Sequence, residues 1–118
     1  MEIKDRIDYK LTSEAMNQRF EATFFRKNPY KAILSVKMPG GYTKEIKLRF
    51  DETNLLSMDP VGTKYVATLF EGYSTETNAY YIAVDVQIGE VVRKRGFLTW
   101  VEKVLLARSG LLYEVKQK

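Results

Sequence analysis

The stretch "YKAILSVKMPGGYTKEIKLRF", residues 30–50, holds two alternating runs on either side of Pro39-Gly40-Gly41. Alternation with period two puts successive side chains on opposite faces of a strand. The three-residue loop fits a type I turn, with Pro39 supplying its fixed φ and Gly41 the left-handed bulge position. That loop sets the register. Met38 faces Tyr42, Val36 faces Lys44, Leu34 faces Ile46, Ala32 faces Leu48 and Tyr30 faces Phe50, so one side is apolar except for Lys44. The reverse side pairs Lys37 with Thr43, Ser35 with Glu45, Ile33 with Lys47 and Lys31 with Arg49. A slip of one residue would exchange the two faces, so turn chemistry and patterning specify the same hairpin.

A second hairpin is expected in "AYYIAVDVQIGEVVRKRGFL", residues 79–98. A two-residue loop at Gly89-Glu90 would set Arg93 opposite Val86 and Arg95 opposite Val84, placing charge on the apolar face. A three-residue loop moves the register by one. Val86 then meets Val92, Ile82 meets Gly96 and Tyr80 meets Leu98, while Asp85 meets Arg93 and Tyr81 meets Phe97 on the reverse face. The second register is preferred because an unpaired buried charge costs several kcal/mol. It leaves Lys94 facing Val84 as its one defect.

Working outward, "GTKYVATLFEGY" (62–73) reads as another strand. "EIKDRIDYKL" alternates at Ile7, Tyr9 and Leu11, and "LLYEVKQ" near the end is a short edge strand. "TWVEKVLLARSG" carries Thr99 and Glu102 in capping-box spacing, apolar residues at helical intervals and Gly110 as a stop. "TSEAMNQRF" starts a helix at Thr12, with Leu11 and Met16 spaced as a hydrophobic staple. "FEATFFRK" fits helix or strand equally, and residues 51–62 leave room for a helical turn before Pro60. The class is therefore α+β. An antiparallel sheet of five to six strands, curled towards a partial barrel, packs against one or two helices, including a C-terminal one near 100–108. Trp100, in that helix's first turn, is expected to pack on the sheet.

The chain has 118 residues, 45% hydrophobic and 29% charged, without repeats or low-complexity tracts. This fits one domain, 1–118, with a core of its own. Cys and His are both missing. Thiol nucleophiles, Ser-His-Asp triads, imidazole bases, Cys/His zinc sites and disulfides are thereby excluded. "GGYTKE" lacks the spacing of a phosphate-binding loop and precedes a strand. The acids Asp51, Glu52, Asp59, Glu71, Glu76 and Asp85 form no pair that spacing supports. The expectation is a protein without enzymatic activity or cofactor. "MEIKDRIDYK" has no apolar core of a signal peptide and no run is long enough to span a bilayer, so a cytoplasmic protein without a membrane partner is expected.

Net charge is +4 with a pI near 9.2, which favours an anionic partner. Lys31, Lys47 and Arg49 share one face of the first hairpin, where Lys31 and Arg49 are directly opposed like charges. In the second hairpin Arg93 and Arg95 share a face with Tyr81 and Phe97, a combination suited to phosphate contacts and base stacking. "RGFLTW" shares only its first three residues with the RNA-recognition octamer, since Leu98 stands where a small residue belongs and Thr99 where an aromatic belongs. The leading expectation is a binding protein for single-stranded nucleic acid, using Lys31, Lys47, Arg49, Tyr81, Arg93, Arg95 and Phe97. The alternative is a protein-interaction or assembly module without a nucleic-acid role. Leu106, Leu111 and Leu112 add apolar surface that suggests a homodimer. An enzyme or small-ligand carrier has no residue to support it.

Overall fold

The computed structural model describes residues 7–28, 31–48, 62–88 and 91–116. In chain order the elements are β1 (Ile7–Leu11), α1 (Ser13–Met16), β2 (Arg19–Asn28), β3 (Lys31–Met38), β4 (Tyr42–Leu48), β5 (Lys64–Ser74), β6 (Ala79–Ile88), β7 (Val91–Phe97), α2 (Trp100–Arg108) and β8 (Leu112–Lys116). Six strands form one antiparallel sheet in the order β4-β3-β2-β5-β6-β7, and β1 pairs with β8 in a second, two-stranded sheet. The α+β class, the curled sheet and the C-terminal helix agree with the sequence reading.

The large sheet curls until its two outer strands nearly meet, making an almost closed barrel. Gly96 on β7 faces Ile46 on β4. The two strands are not hydrogen-bonded to each other, so side-chain packing forms the seam. Period-two patterning fills the interior. Ala22, Phe24, Leu34, Val36, Ile46, Tyr65, Ala67, Leu69, Ile82, Val84 and Val86 all belong to one buried cluster, with Leu98, Leu106 and Leu111.

The first hairpin has the expected register at every described pair, from Ala32↔Leu48 to Met38↔Tyr42. Its turn differs in type. Gly40 and Gly41 both have positive φ, +98° and +88°, and the Gly41 amide donates to Met38 O at 3.4 Å. A positive φ at the third position of Met38–Gly41 makes this a type II turn, where Gly is needed, rather than type I. The loop length is unchanged, so the register is unchanged. The Tyr30–Phe50 and Lys31–Arg49 pairs, and residues 51–61, lie outside the described residues.

The second hairpin corrects the sequence reading. Ile88 pairs with Val91 and Gln87 with Val92, as a two-residue loop requires. The register then shifts, so that Lys94 meets Val86, Arg95 meets Asp85, Gly96 meets Val84 and Phe97 meets Ala83. Arg93 is the inserted residue of this bulge. An unbroken two-residue hairpin would aim arginines at Val86 and Val84. One extra residue removes that objection and puts Arg95, not Arg93, opposite Asp85.

The ambiguous segment after α1 is strand β2. The short helix α1 is capped by Thr12, whose hydroxyl accepts from Ala15 N at 3.2 Å, and it stops after one turn. Met16 is exposed, so the core contact at α1 is Ala15 instead. In α2 the capping box forms as expected: Glu102 N donates to Thr99 Oγ1 and Thr99 N to Glu102 Oε1. At the other end Leu111 N reaches Leu106 O and Gly110 N reaches Ala107 O, with Gly110 at φ +81°. This is a Schellman stop.

Candidate functional site on the outer face of β5, β6 and β7

On the barrel's outer surface, strand pairing lines up Thr68, Asp85 and Arg95 in one row and Phe70, Ala83 and Phe97 in the next. Tyr81 stands beside Gly72 in the row above. Arg95 donates from Nε to Asp85 Oδ1 at 2.6 Å and from Nη2 to Oδ2 at 3.0 Å. Its guanidinium lies 3.9 Å from the centre of the Phe70 ring. The hydrogen bond to Asp85, foremost, holds Arg95 above its ordinary pKa, so it is charged at all working pH. Asp85 is 4% exposed at the bottom of this arrangement. A buried carboxylate requires such a partner.

The aromatic rings continue the face. Tyr81 lies 5.3 Å from Phe97 at 69° and 6.1 Å from Phe70 at 40°. A methyl group on Gly72 would lie 2.4 Å from Tyr81 Cζ and Oη, so the tyrosine ring rests on bare backbone. Phe97 is 61% exposed. An edge-to-face aromatic pair is worth about 0.5–1.5 kcal/mol beyond burial, so the rings keep one another in place while their outer surfaces stay wet.

Of the seven residues expected from the sequence, Tyr81, Arg95 and Phe97 come together here. Arg93 sits in the bulge of the same strand, and its side chain lies outside the described set, as does that of Lys31. Arg49 lies wholly outside it. Lys47 is exposed on β4, opposite Ile33. It follows Ile46, which meets Gly96, so Lys47 and the Arg95/Phe97 pair flank the same seam. Phe70 and Gly72 were missed. Their signal was a phenylalanine and a glycine on the polar side of the 62–73 alternation, readable only once β5 is registered against β6.

Two further expectations change. Trp100 is 53% exposed and packs its ring against Tyr9 at 5.2 Å instead of entering the core. Leu106, Leu111 and Leu112 are buried within the chain itself, so the surplus that suggested a dimer is not theirs. The exposed large apolar groups among the described residues include Phe70, Phe97, Trp100 and Val101.

A cleft of about 730 Å³, lined by Glu14, Asn17, Gln18, Pro39, Gly40, Ser109 and Leu111, shares no residue with the aromatic face. Among the described residues no group of His, Cys, Asp or Glu side chains is arranged to hold a metal ion. No helix among them is long and apolar enough to cross a membrane. Comparison with protein families, curated proteins and solved structures finds no match.

Proposed function

We propose that this protein is a non-enzymatic binding module whose working surface is the outer face of β5, β6 and β7, and that its ligand is single-stranded nucleic acid. The observation that carries this reading is the row of Phe70, Tyr81 and Phe97 with Arg95 stacked among them, with Phe70 and Phe97 exposed beyond the described helices. Every base has a flat π-face, so such a row holds unpaired bases without reading their identity. The bases of a duplex are already stacked on each other and are not available to it. Lys47 across the seam and the overall charge of +4 favour a polyanion.

A titration of fluorescently labelled oligothymidylate, with duplex DNA in parallel and at several salt concentrations, tests the reading. Single-strand preference and a linear fall of log affinity with log salt are expected. Phe97→Ala removes one stacking surface, a loss of about 1–3 kcal/mol. Absence of single-strand binding at low salt overturns the reading.

One observation favours a second reading, a protein-assembly surface. Asp85 already neutralises Arg95, and Trp100 and Val101 extend the exposed apolar area. Light scattering that shows a concentration-dependent oligomer, dissociated by Phe97→Ser and indifferent to nucleic acid, is the outcome that would select it.

A further inference from the structure

We infer that Arg95 is an oriented phosphate-reading group, with Asp85 as its positioning residue, so that the face takes one nucleotide unit as a base on Phe97 and its phosphate on the exposed part of the Arg95 guanidinium. The inference rests on the nucleic-acid reading and names its central contact. A guanidinium carries five N–H groups in a fixed plane. Asp85 occupies one edge, through Nε and Nη2, and Phe70 covers one face at 3.9 Å. The Tyr81 side chain also hydrogen-bonds the guanidinium, so two polar groups hold it besides the Phe70 ring. The side chain is 35% exposed, against 6% for that of Asp85. The carboxylate is therefore hidden beneath the cation, and an approaching anion meets the guanidinium first.

This arrangement removes the usual freedom of a long side chain. An arginine held by a carboxylate on one edge and by a ring on one face has already lost the rotamer entropy that a surface arginine loses on binding. The N–H groups not used by Asp85 and Tyr81 lie in a plane fixed by these contacts, beside the exposed ring of Phe97 on the same strand and the same face. Planar, two-point phosphate recognition is what such a fork supplies and a lysine does not.

The role of Asp85 gives opposite signs for two accounts. If the face attracts phosphate by charge alone, Asp85→Asn removes a negative charge and binding tightens. If Asp85 orients Arg95, the same substitution releases the fork and binding weakens. The experiment titrates wild type, Asp85→Asn, Arg95→Lys and Arg95→Ala with labelled oligothymidylate. A second oligothymidylate with an uncharged methylphosphonate backbone serves as the control, and thermal unfolding is recorded for each variant.

Arg95→Lys is expected to weaken phosphodiester binding about tenfold, nearly as much as Arg95→Ala, and to lower the salt slope by about one contact. Asp85→Asn is expected to weaken it too, despite the more positive face. None of these changes should alter the weaker binding of the uncharged backbone, which stacking on Phe97 alone supports. Lysine matching arginine, or Asp85→Asn binding more tightly, overturns the inference while leaving a stacking face intact. Wild type that ignores both probes overturns the function itself. Should Asp85→Asn unfold, the lysine variant and the neutral backbone still decide the matter.

Discussion

Gly96 on β7 faces Ile46 on β4 so closely that a methyl group on the glycine would stand 2.7 Å from Ile46 Cδ1 and 3.0 Å from Cγ1. The barrel stays just short of closure, with no backbone hydrogen bond between the two strands, and this side-chain contact links its edges. Gly96→Ala therefore overpacks the seam and is expected to cost about 1–3 kcal/mol. The check is a mutant cycle in urea. Ile46→Val removes the crowded Cδ1, so Gly96→Ala should cost less in that background. Equal costs in both backgrounds would show that the seam is not where the strands touch.

Lys44 Nζ lies 2.9 Å from Glu102 Oε1, with the two side chains 12% and 14% exposed. The same oxygen accepts from Thr99 N and so also closes the cap of α2. Glu102→Ala strands a largely buried ammonium and opens the cap, a loss of about 3–5 kcal/mol. Lys44→Met leaves the Glu102 carboxylate without its cation but keeps its bond from Thr99 N, so it should cost less than Glu102→Ala, which also opens the cap. Denaturant midpoints compare the two. Comparable losses would mean that the cap bond to Thr99 adds nothing to the ion pair, and two small losses would mean that the charges act independently.

These two contacts show what the sequence carried and what it did not. Lys44 was already conspicuous as the one charge on an apolar face, because local alternation and a fixed loop length determine a hairpin's register. Its partner was 58 positions away on a helix, and no local pattern encodes that distance. The second hairpin was misread for a related reason. A bulge is one residue in a strand whose composition looks ordinary, and only the fit of Asp85 against Arg95 shows where it falls. Parity survived, because the observed and expected registers differ by two residues at Asp85, so Tyr81, Arg95 and Phe97 still shared a face. Phe70 and Gly72 were out of reach, since the order β2-β5-β6 depends on contacts between distant segments.

Tyr42 Oη is buried and reaches no hydrogen-bond partner among the described residues. Burial, foremost, and the nearby Glu102 carboxylate raise its pKa above the ordinary tyrosine value of about 10. In the unfolded chain the phenol ionises near that ordinary value, while in the folded chain it keeps its proton. Above about pH 10 the unfolded state therefore binds fewer protons, and stability falls as pH rises towards the folded pKa, by about 1.4 kcal/mol per pH unit at most. Tyr42→Phe removes both the ionisation and the unpaired hydroxyl. It should raise stability at neutral pH by about 1 kcal/mol and flatten the alkaline loss. Urea midpoints at pH 7 and in the alkaline range measure both effects, and an unchanged alkaline slope in the variant would assign the loss to other groups.

Tyr81 rests on Gly72, where a methyl group would fall 2.4 Å from its Cζ and Oη. Gly72→Ala must therefore move the tyrosine ring, which can swing outward because it lies on the barrel's surface. Alanine also has the better strand propensity, so the net effect on stability should be small, within about 1 kcal/mol. The effect on the aromatic face should not be small. Tyr81 packs edge-on against Phe97 at 5.3 Å, and displacing it removes the ring that fixes the stacking angle of Phe97. The variant is expected to keep its melting temperature within a few degrees, change its near-ultraviolet circular dichroism and lose oligothymidylate affinity in step with Phe97→Ala. Full affinity with an altered aromatic spectrum would show that the ligand does not use this face.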